Sequence, residues 1–162
     1  MEEKYNIDII EDSEIVRSLL SYELSKNPNY NVSAFVSGDD YFSSNPNSDV
    51  LILDYHLDSE NSKAENGLDI MKKAKKNKTS LPVIFFSGQS KLNVVIQIIK
   101  KGATDYLLKD SDTFIEDVLY AINELTSHKR GVVRLDLWKK SLTRTLLAIL
   151  AIAFCAFTIA WI

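Results

Sequence analysis

Five short apolar runs, spread along residues 1–110, constrain the fold of this chain more than any other feature. They have the length and composition of β-strands, several are apolar almost throughout, and they cover residues 5–10, 30–36, 50–54, 82–87 and 104–108. A strand that is apolar on both faces belongs to a sheet that is covered on both sides. The runs therefore predict a buried sheet.

Longer amphipathic segments lie between these runs. Helical periodicity covers four clear segments and one weaker one, namely residues 14–26, 68–76, 92–101 and 114–126 and, more weakly, 38–44. Ser13 and Asp112 are suitable N-caps, and Gly102 is a suitable helix end. Five strands that alternate with helices predict right-handed crossovers and an α/β fold with a doubly wound, five-stranded parallel sheet.

Charge is distributed unevenly along the chain. From residue 129 onward, six basic residues stand against one acid, so this stretch carries +5. Subtracting it from the whole-chain charge of −3 leaves −8 for residues 1–128. We expect an acidic globular domain over 1–128, followed by a basic juxtamembrane linker over 129–141. The acidic domain is expected not to bind nucleic acid, because it would approach phosphates against its own charge.

The C-terminal residues 145–162 contain no charge and are apolar on every face. As a helix they would extend roughly 27 Å, close to the ~30 Å hydrocarbon core of a bilayer. Trp138 lies toward one end of this segment and Trp161 at the other, and the basic linker lies on its N-terminal side, as in cytoplasmic juxtamembrane segments. We expect one transmembrane helix over 142–162. The alternative is a buried helix of a soluble protein, but residues 1–128 already form a closed pattern.

Two further features place the domain in the cytoplasm. The only cysteine, Cys155, lies in the apolar C-terminal segment, so no intrachain disulfide is possible. The sequence MEEKYNIDII lacks the basic start and long apolar run of a signal peptide. We therefore expect a single-pass protein of the cytoplasmic (inner) membrane with its globular domain in the cytoplasm.

Polar residues follow four of the five predicted strands, where doubly wound sheets place their sites. Glu11 and Asp12 end the first strand, Asp54 the third, Ser87 the fourth and Lys109 the fifth. Converging carboxylates repel each other unless a hard cation lies between them, and Mg²⁺ prefers such oxygen ligands. Phosphoryl transfer needs little beyond positioning and charge neutralisation. The pattern predicts a magnesium-dependent phosphoryl-transfer site.

The motifs IDIIEDSEIVRSLL, LILDYHLD, IFFSG and KGATDYLLKD resemble those of receiver domains of two-component response regulators, over residues 5–128. The resemblance implies the flavodoxin-like receiver fold and phosphorylation of Asp54 by a histidine kinase or phosphotransfer protein. It implies a Mg²⁺ site made by Glu11, Asp12, Asp54 and the His56 backbone carbonyl. It also implies that Ser87 and Lys109 bind the phosphoryl group, and that Ser87 and Tyr106 form the activation switch.

Two segments depart from the usual pattern of that family. The loop after Asp54 is longer than usual and has Asp58 in place of a common proline. Asp110 follows Lys109, where a proline is usual. Neither change removes a residue of the predicted catalytic set.

No output domain is predicted, because the basic neck is too short for a helix-turn-helix domain. We expect signalling by contact with an unidentified downstream protein at the membrane, without enzymatic activity beyond slow autodephosphorylation. One alternative is a phosphorylation-independent, membrane-anchored adaptor with a receiver fold, and another is an N-terminal fragment of a larger membrane protein. An aspartyl phosphatase is disfavoured because His56, not a carboxylate, stands two residues after Asp54.

Overall fold

Every predicted strand forms, within one residue of its expected bounds, in a computed structural model that describes residues 4–57, 66–88 and 92–127. The strands are β1 (Tyr5–Ile10), β2 (Tyr30–Phe35), β3 (Val50–Asp54), β4 (Val83–Ser87) and β5 (Asp105–Leu108). They form one sheet in the order β2-β1-β3-β4-β5, and every neighbouring pair is parallel. The predicted doubly wound parallel sheet is confirmed.

The helices also form close to where the periodicity places them. They are α1 (Glu14–Ser25), α2 (Gly38–Ser43), α3 (Gly67–Asn77), α4 (Leu92–Lys100) and α5 (residues 114–127). The six-residue α2 begins after Ser37, whose side chain accepts a hydrogen bond from the Asp40 amide. This cap satisfies a backbone donor that a short helix would otherwise leave unpaired.

The predicted helix ends have three different outcomes. Gly102 ends α4 with φ of 101°, and its amide and that of Ala103 donate to the carbonyl oxygens of Ile99 and Ile98. This is the hydrogen-bond pattern of a Schellman motif, which needs a residue with positive φ. Ser13 occupies the N-cap of α1 without a side-chain capping hydrogen bond. The prediction for Asp112 is wrong, because α5 begins at Phe114 and is preceded by Thr113.

Two hydrophobic cores lie on opposite faces of the sheet, as the strands that are apolar throughout require. One core joins alternate strand residues such as Ile7 and Ile52 to α1 and α5, and the other joins Leu51 and Leu53 to the remaining helices. Both are built from residues within the compact unit Met1–Leu125. That unit therefore has a complete core of its own.

The apolar C-terminal segment cannot be compared with its prediction. Within residues 4–57, 66–88 and 92–127, no helix is long and apolar enough to cross a membrane. The predicted linker at 129–141 and span at 142–162 lie outside these ranges, as does Asp58.

Candidate functional site

The predicted site residues meet at the edge where the parallel strands end. Glu11 follows β1, Asp54 is the last residue of β3, Ser87 is the last of β4 and Lys109 follows β5. The Lys109 amide donates to the Ser87 carbonyl oxygen at 3.0 Å, which links the ends of β4 and β5. The sheet thus gathers residues that are up to about a hundred positions apart in sequence.

Three carboxylates form the centre of the site. Glu11, Asp12 and Asp54 each offer an oxygen within 4.8 Å of the other two. Glu11 is fully buried and Asp54 is 2% exposed. Burial raises the pKa of Glu11 and of Asp54 above their ordinary values, more than their contacts with Lys109 lower them. The ionised cluster is therefore costly and requires positive charge beside it.

Lys109 supplies part of that charge. Its Nζ lies 2.7 Å from Asp54 Oδ2 and 2.7 Å from Glu11 Oε2, and 4.8 Å above the centre of the Phe86 ring. Burial lowers the pKa of Lys109, but its two carboxylate partners more than compensate and raise it. The lysine therefore stays protonated. One ammonium beside three ionised carboxylates still leaves a formal charge of −2.

This donor set fits a hard divalent cation. Glu11 Oε2 touches the Lys109 ammonium, but no described group donates to it with hydrogen-bond geometry, so a buried carboxylate oxygen has capacity to spare. Mg²⁺ takes oxygen ligands and typically keeps several waters beside one or two carboxylates. The uncompensated charge and the available oxygen both match that requirement.

His56 lies beside the candidate phosphoacceptor. Its amide donates to Asp54 Oδ1 at 3.1 Å, while its exposed ring contacts Tyr55 edge-on with centroids 4.7 Å apart. The hydrogen bond fixes one Asp54 oxygen, and Lys109 fixes the other. The carboxylate is therefore held at both oxygens.

Ser87 and Tyr106 are also brought together. Ser87 is 1% exposed, and its side chain shares a hydrogen bond with that of half-buried Tyr106. Burial raises the pKa of Tyr106, and the Ser87 bond opposes that rise. The tyrosine hydroxyl is thus linked to the end of β4. That strand pairs with β3, which ends at Asp54, and with β5, which Lys109 follows.

Three residues that support the site were not anticipated from the sequence. The Arg17 guanidinium donates to the carbonyl oxygens of Glu11 and Asp12 at 2.8 and 2.9 Å, which holds the acidic loop. Phe86 lies under the Lys109 ammonium. Gly67 begins α3 so close to β3 that a Cβ there would be 2.4 Å from the Asp54 carbonyl oxygen. Two of these residues had a signal in the sequence. Arg17 is a basic residue five positions after the acidic pair, and Gly67 is a glycine at the start of a helix.

Comparison with known proteins decides the family. The profile of the response regulator receiver domain matches residues 7–137, well over half of the chain. The chain belongs to the response regulator receiver family. Receiver domains act in two-component signalling, and they bind Mg²⁺ at an acidic pocket. A comparison with curated proteins found no match.

Solved receiver domains share the fold. The BeF3-activated receiver domain of DrrB, from Thermotoga maritima, has a TM-score of 0.67 at 21% identity, covering 76% of this chain and 98% of that one. A receiver domain protein from Clostridium thermocellum has a TM-score of 0.65 at 24% identity, covering 79% and 98%. A CheY-like receiver domain protein from Methanospirillum hungatei has a TM-score of 0.67 at 19% identity, covering 80% and 99%.

Membership of the receiver family gives the chain its coarse role. A receiver domain implies interaction with a histidine kinase or another phosphodonor. The acidic cluster at the strand ends lies where the doubly wound fold places its sites.

Proposed function

We propose that this receiver domain accepts one phosphoryl group on Asp54 and signals at the membrane to which its C-terminal segment attaches it. The observation that carries the proposal is that both Asp54 carboxylate oxygens are hydrogen-bonded, one to the Lys109 ammonium and the other to the His56 amide. These two hydrogen bonds orient the carboxylate for in-line attack, and orientation is most of what phosphoryl transfer requires.

The residues around Asp54 have separate roles in this reaction. A carboxylate oxygen of Asp54 forms the new P–O bond as the P–N bond of the donor phosphohistidine breaks, and the imidazole leaves with the bonding electrons. Lys109 then exchanges part of its contact with carboxylate for contact with the phosphoryl oxygens. Ser87 donates its hydroxyl to another oxygen, which changes its bond with Tyr106 and so reports the phosphoryl group at the surface.

A divalent cation would be held by Glu11, Asp12 and Asp54, together with the His56 carbonyl oxygen. Bound Mg²⁺ would neutralise charge on the transferred phosphoryl group. The single ammonium beside the three carboxylates does not neutralise their negative charge, so the charge of a divalent cation would be compensated there.

The test is phosphorylation of residues 1–128 by acetyl phosphate in the presence of Mg²⁺, followed by intact mass measurement. We expect one acid-stable, base-labile acyl phosphate, which is lost in Asp54→Asn and after chelation of Mg²⁺. The exposed carboxylate variant Asp39→Asn is the control and should be labelled like the parent. Undiminished labelling of Asp54→Asn would refute the assignment.

A further inference from the structure

About a quarter of the receiver domain has a charge opposite to the rest. Residues 70–104 contain eight lysines and no acid, whereas residues 1–128 as a whole carry −8. The remainder of 1–128 therefore carries −16. None of the eight basic residues is arginine. On an ordinary solvated surface, charges of both signs are interspersed, whereas here they are separated along the sequence.

The fold gathers most of these lysines at one edge of the sheet. Helices between parallel strands run antiparallel to them, so α3 and α4 both end at the edge where strands begin, opposite the site. The Lys75 ammonium donates to the Gly102 carbonyl oxygen, which joins the ends of the two helices. We call Lys75, Lys76, Lys78, Lys100 and Lys101 the lysine edge.

Much of the positive charge on the lysine edge is available to a partner. Lys76, Lys100 and Lys101 are exposed, and no described residue pairs with their ammonium groups. Lys78 instead donates to the Ser48 carbonyl oxygen at 2.6 Å and lies 3.7 Å from Asp49. Exposed ammonium groups without carboxylate partners suit a diffuse anionic surface.

Apolar side chains accompany the lysines on α4. Ile96 and Ile99 are 41% and 43% exposed, and Lys100 is one helical turn beyond Ile96. An exposed helical face that combines isoleucine and lysine is typical of a membrane interface, where the apolar groups enter the headgroup boundary. Phosphate contacts in nucleic-acid binding need the lysines but give the exposed isoleucines no role, whereas a lipid surface uses both.

The chain leaves the compact unit at this same edge. α5 packs on the sheet through Val118 and Ile122, antiparallel to the strands, so the unit's last residue, Leu125, lies near the strand starts. The basic residues after position 128 and the apolar residues 145–162 follow in the sequence. In sequence, the segment proposed to enter the membrane therefore follows the end of the unit at which the lysine edge lies.

We propose that the lysine edge docks on the anionic headgroups of the membrane, with Ile96 and Ile99 at its apolar margin. The orientation of the domain in this inference rests on the membrane attachment proposed above. Docking would leave the phosphorylation site, at the opposite edge of the sheet, facing the cytoplasm and open to a kinase.

The test uses residues 1–128, which contain both cores and correspond to receiver domains solved as separate chains. Co-sedimentation with vesicles of phosphatidylcholine and phosphatidylglycerol, at two to one, is compared with pure phosphatidylcholine vesicles. We expect binding to the anionic vesicles alone. Lys76→Gln/Lys101→Gln should weaken it about twenty-five-fold, at roughly fivefold per lysine.

The matched control is Ser18→Asp/Asn93→Asp, which changes the net charge equally but lies in the middle of α1 and at the start of α4. Vesicle binding by this control close to that of the parent supports a local contact. Equal losses in both double variants would show a net-charge effect and overturn the docking surface. Binding to neutral vesicles, or no binding to either kind of vesicle, would also overturn it. So would a lysine double variant that loses dimerisation but keeps its vesicle binding, because the lysine edge would then contact a second copy of the chain.

Failure of this inference is distinguishable from failure of the proposed function. Asp54 labelling and membrane retention of the full chain are measured without reference to the lysine edge. A domain that is phosphorylated and tail-anchored but ignores anionic vesicles refutes the docking alone.

Discussion

Lys109 is the single described cation inside the carboxylate cluster, and it contacts two of the three acids. Its removal would leave Glu11 and Asp54 buried beside each other without charge compensation from the protein. A divalent cation can still bind such a cluster, because the oxygens remain. The lysine's separate contribution is to bring the phosphoryl group into contact with the end of β5, where Tyr106 lies two residues before the last strand residue, Leu108.

Lys109→Ala should therefore retain Mg²⁺ binding but lose the response of Tyr106 to phosphorylation. Beryllofluoride, a phosphoryl mimic, should shift the NMR signals around Ser87 and Tyr106 in the parent and much less in the variant. Lys4→Ala, a change at an exposed lysine before β1, serves as control. Equal shifts in Lys109→Ala and the parent would contradict the coupling role.

A third buried carboxylate, outside the site, lies in the middle of β1. Asp8 is 5% exposed and accepts a hydrogen bond from Ser48, whose hydroxyl also meets the Tyr41 hydroxyl at 2.7 Å. Burial raises the pKa of Asp8 above its ordinary value of 3.8, the bond from Ser48 lowers it, and nearby Asp49 raises it further. The ionised side chain thus costs stability in the folded state.

Asp8→Asn should stabilise the domain at neutral pH and should have no such effect in acid. A raised folded pKa means that the parent loses stability as pH rises from the ordinary value through the folded pKa, whereas a neutral amide does not titrate. Urea unfolding of residues 1–128 with chelator at several pH values measures this. A stability difference between variant and parent that does not grow with pH would count against the explanation.

At the scale of secondary-structure elements, the place where α3 packs against β3 leaves no space for an added side chain. A Cβ on Gly67 would approach the Asp54 carbonyl oxygen to 2.4 Å and the Phe85 ring to 2.9 Å. The first neighbour is backbone of the central strand and cannot move aside without displacing Asp54.

Gly67→Ala should lower the free energy of unfolding by about 1–3 kcal/mol, the usual cost of overpacking. Gly88→Ala is the matched control, because the nearest described group to its Cβ would be the Asp110 carboxylate at 3.6 Å, an ordinary contact. Denaturant unfolding of both variants would decide the matter. A loss no larger in Gly67→Ala than in Gly88→Ala would show that the junction can relax.

The element order could be read from the sequence because several strands are apolar on two faces and the helices are apolar on one. Residues 50–54 and 83–87 needed both faces covered, and the sheet provides two cores. Residue-level details such as the start of α5 were less secure. Asp112 is a good capping residue by type, but Thr113 precedes the helix and donates to Asp117 instead.

The site could be predicted in its membership but not in its contacts. Parallel strand ends fix that Glu11, Asp54 and Lys109 converge, whatever the loops do. The contact of Arg17 with two loop carbonyls depends on the angle at which α1 leaves β1, which local sequence does not encode. Likewise the lysines of α3 and α4 are far apart in sequence and become one edge only through the sheet.

For the whole molecule, we predict that the apolar tail holds the receiver on the membrane. The full chain should resist extraction by carbonate, and a chain that ends before residue 142 should not. Ile152→Arg should weaken insertion by ~3 kcal/mol, because a charge at the centre of a span is costly. Ile152→Leu, which keeps the segment apolar, is the control.

Topology requires a second measurement. A tag placed before residue 1 should be cleaved by protease that enters only from the cytoplasmic side. Washing of the full chain from the membrane would refute the anchor, and a shielded tag would refute the orientation.

The position of the last helix has a kinetic consequence during synthesis. All five strands and the described part of α5 lie before residue 128, and seventeen residues separate position 127 from the apolar segment at 145–162. At roughly 5–20 residues per second the ribosome needs about 1–3 s to cross that interval. Mixed α/β domains fold in roughly milliseconds to a second. The sheet can therefore close before the most aggregation-prone part of the chain emerges from the ribosome, so two sets of exposed hydrophobic segments need not coexist.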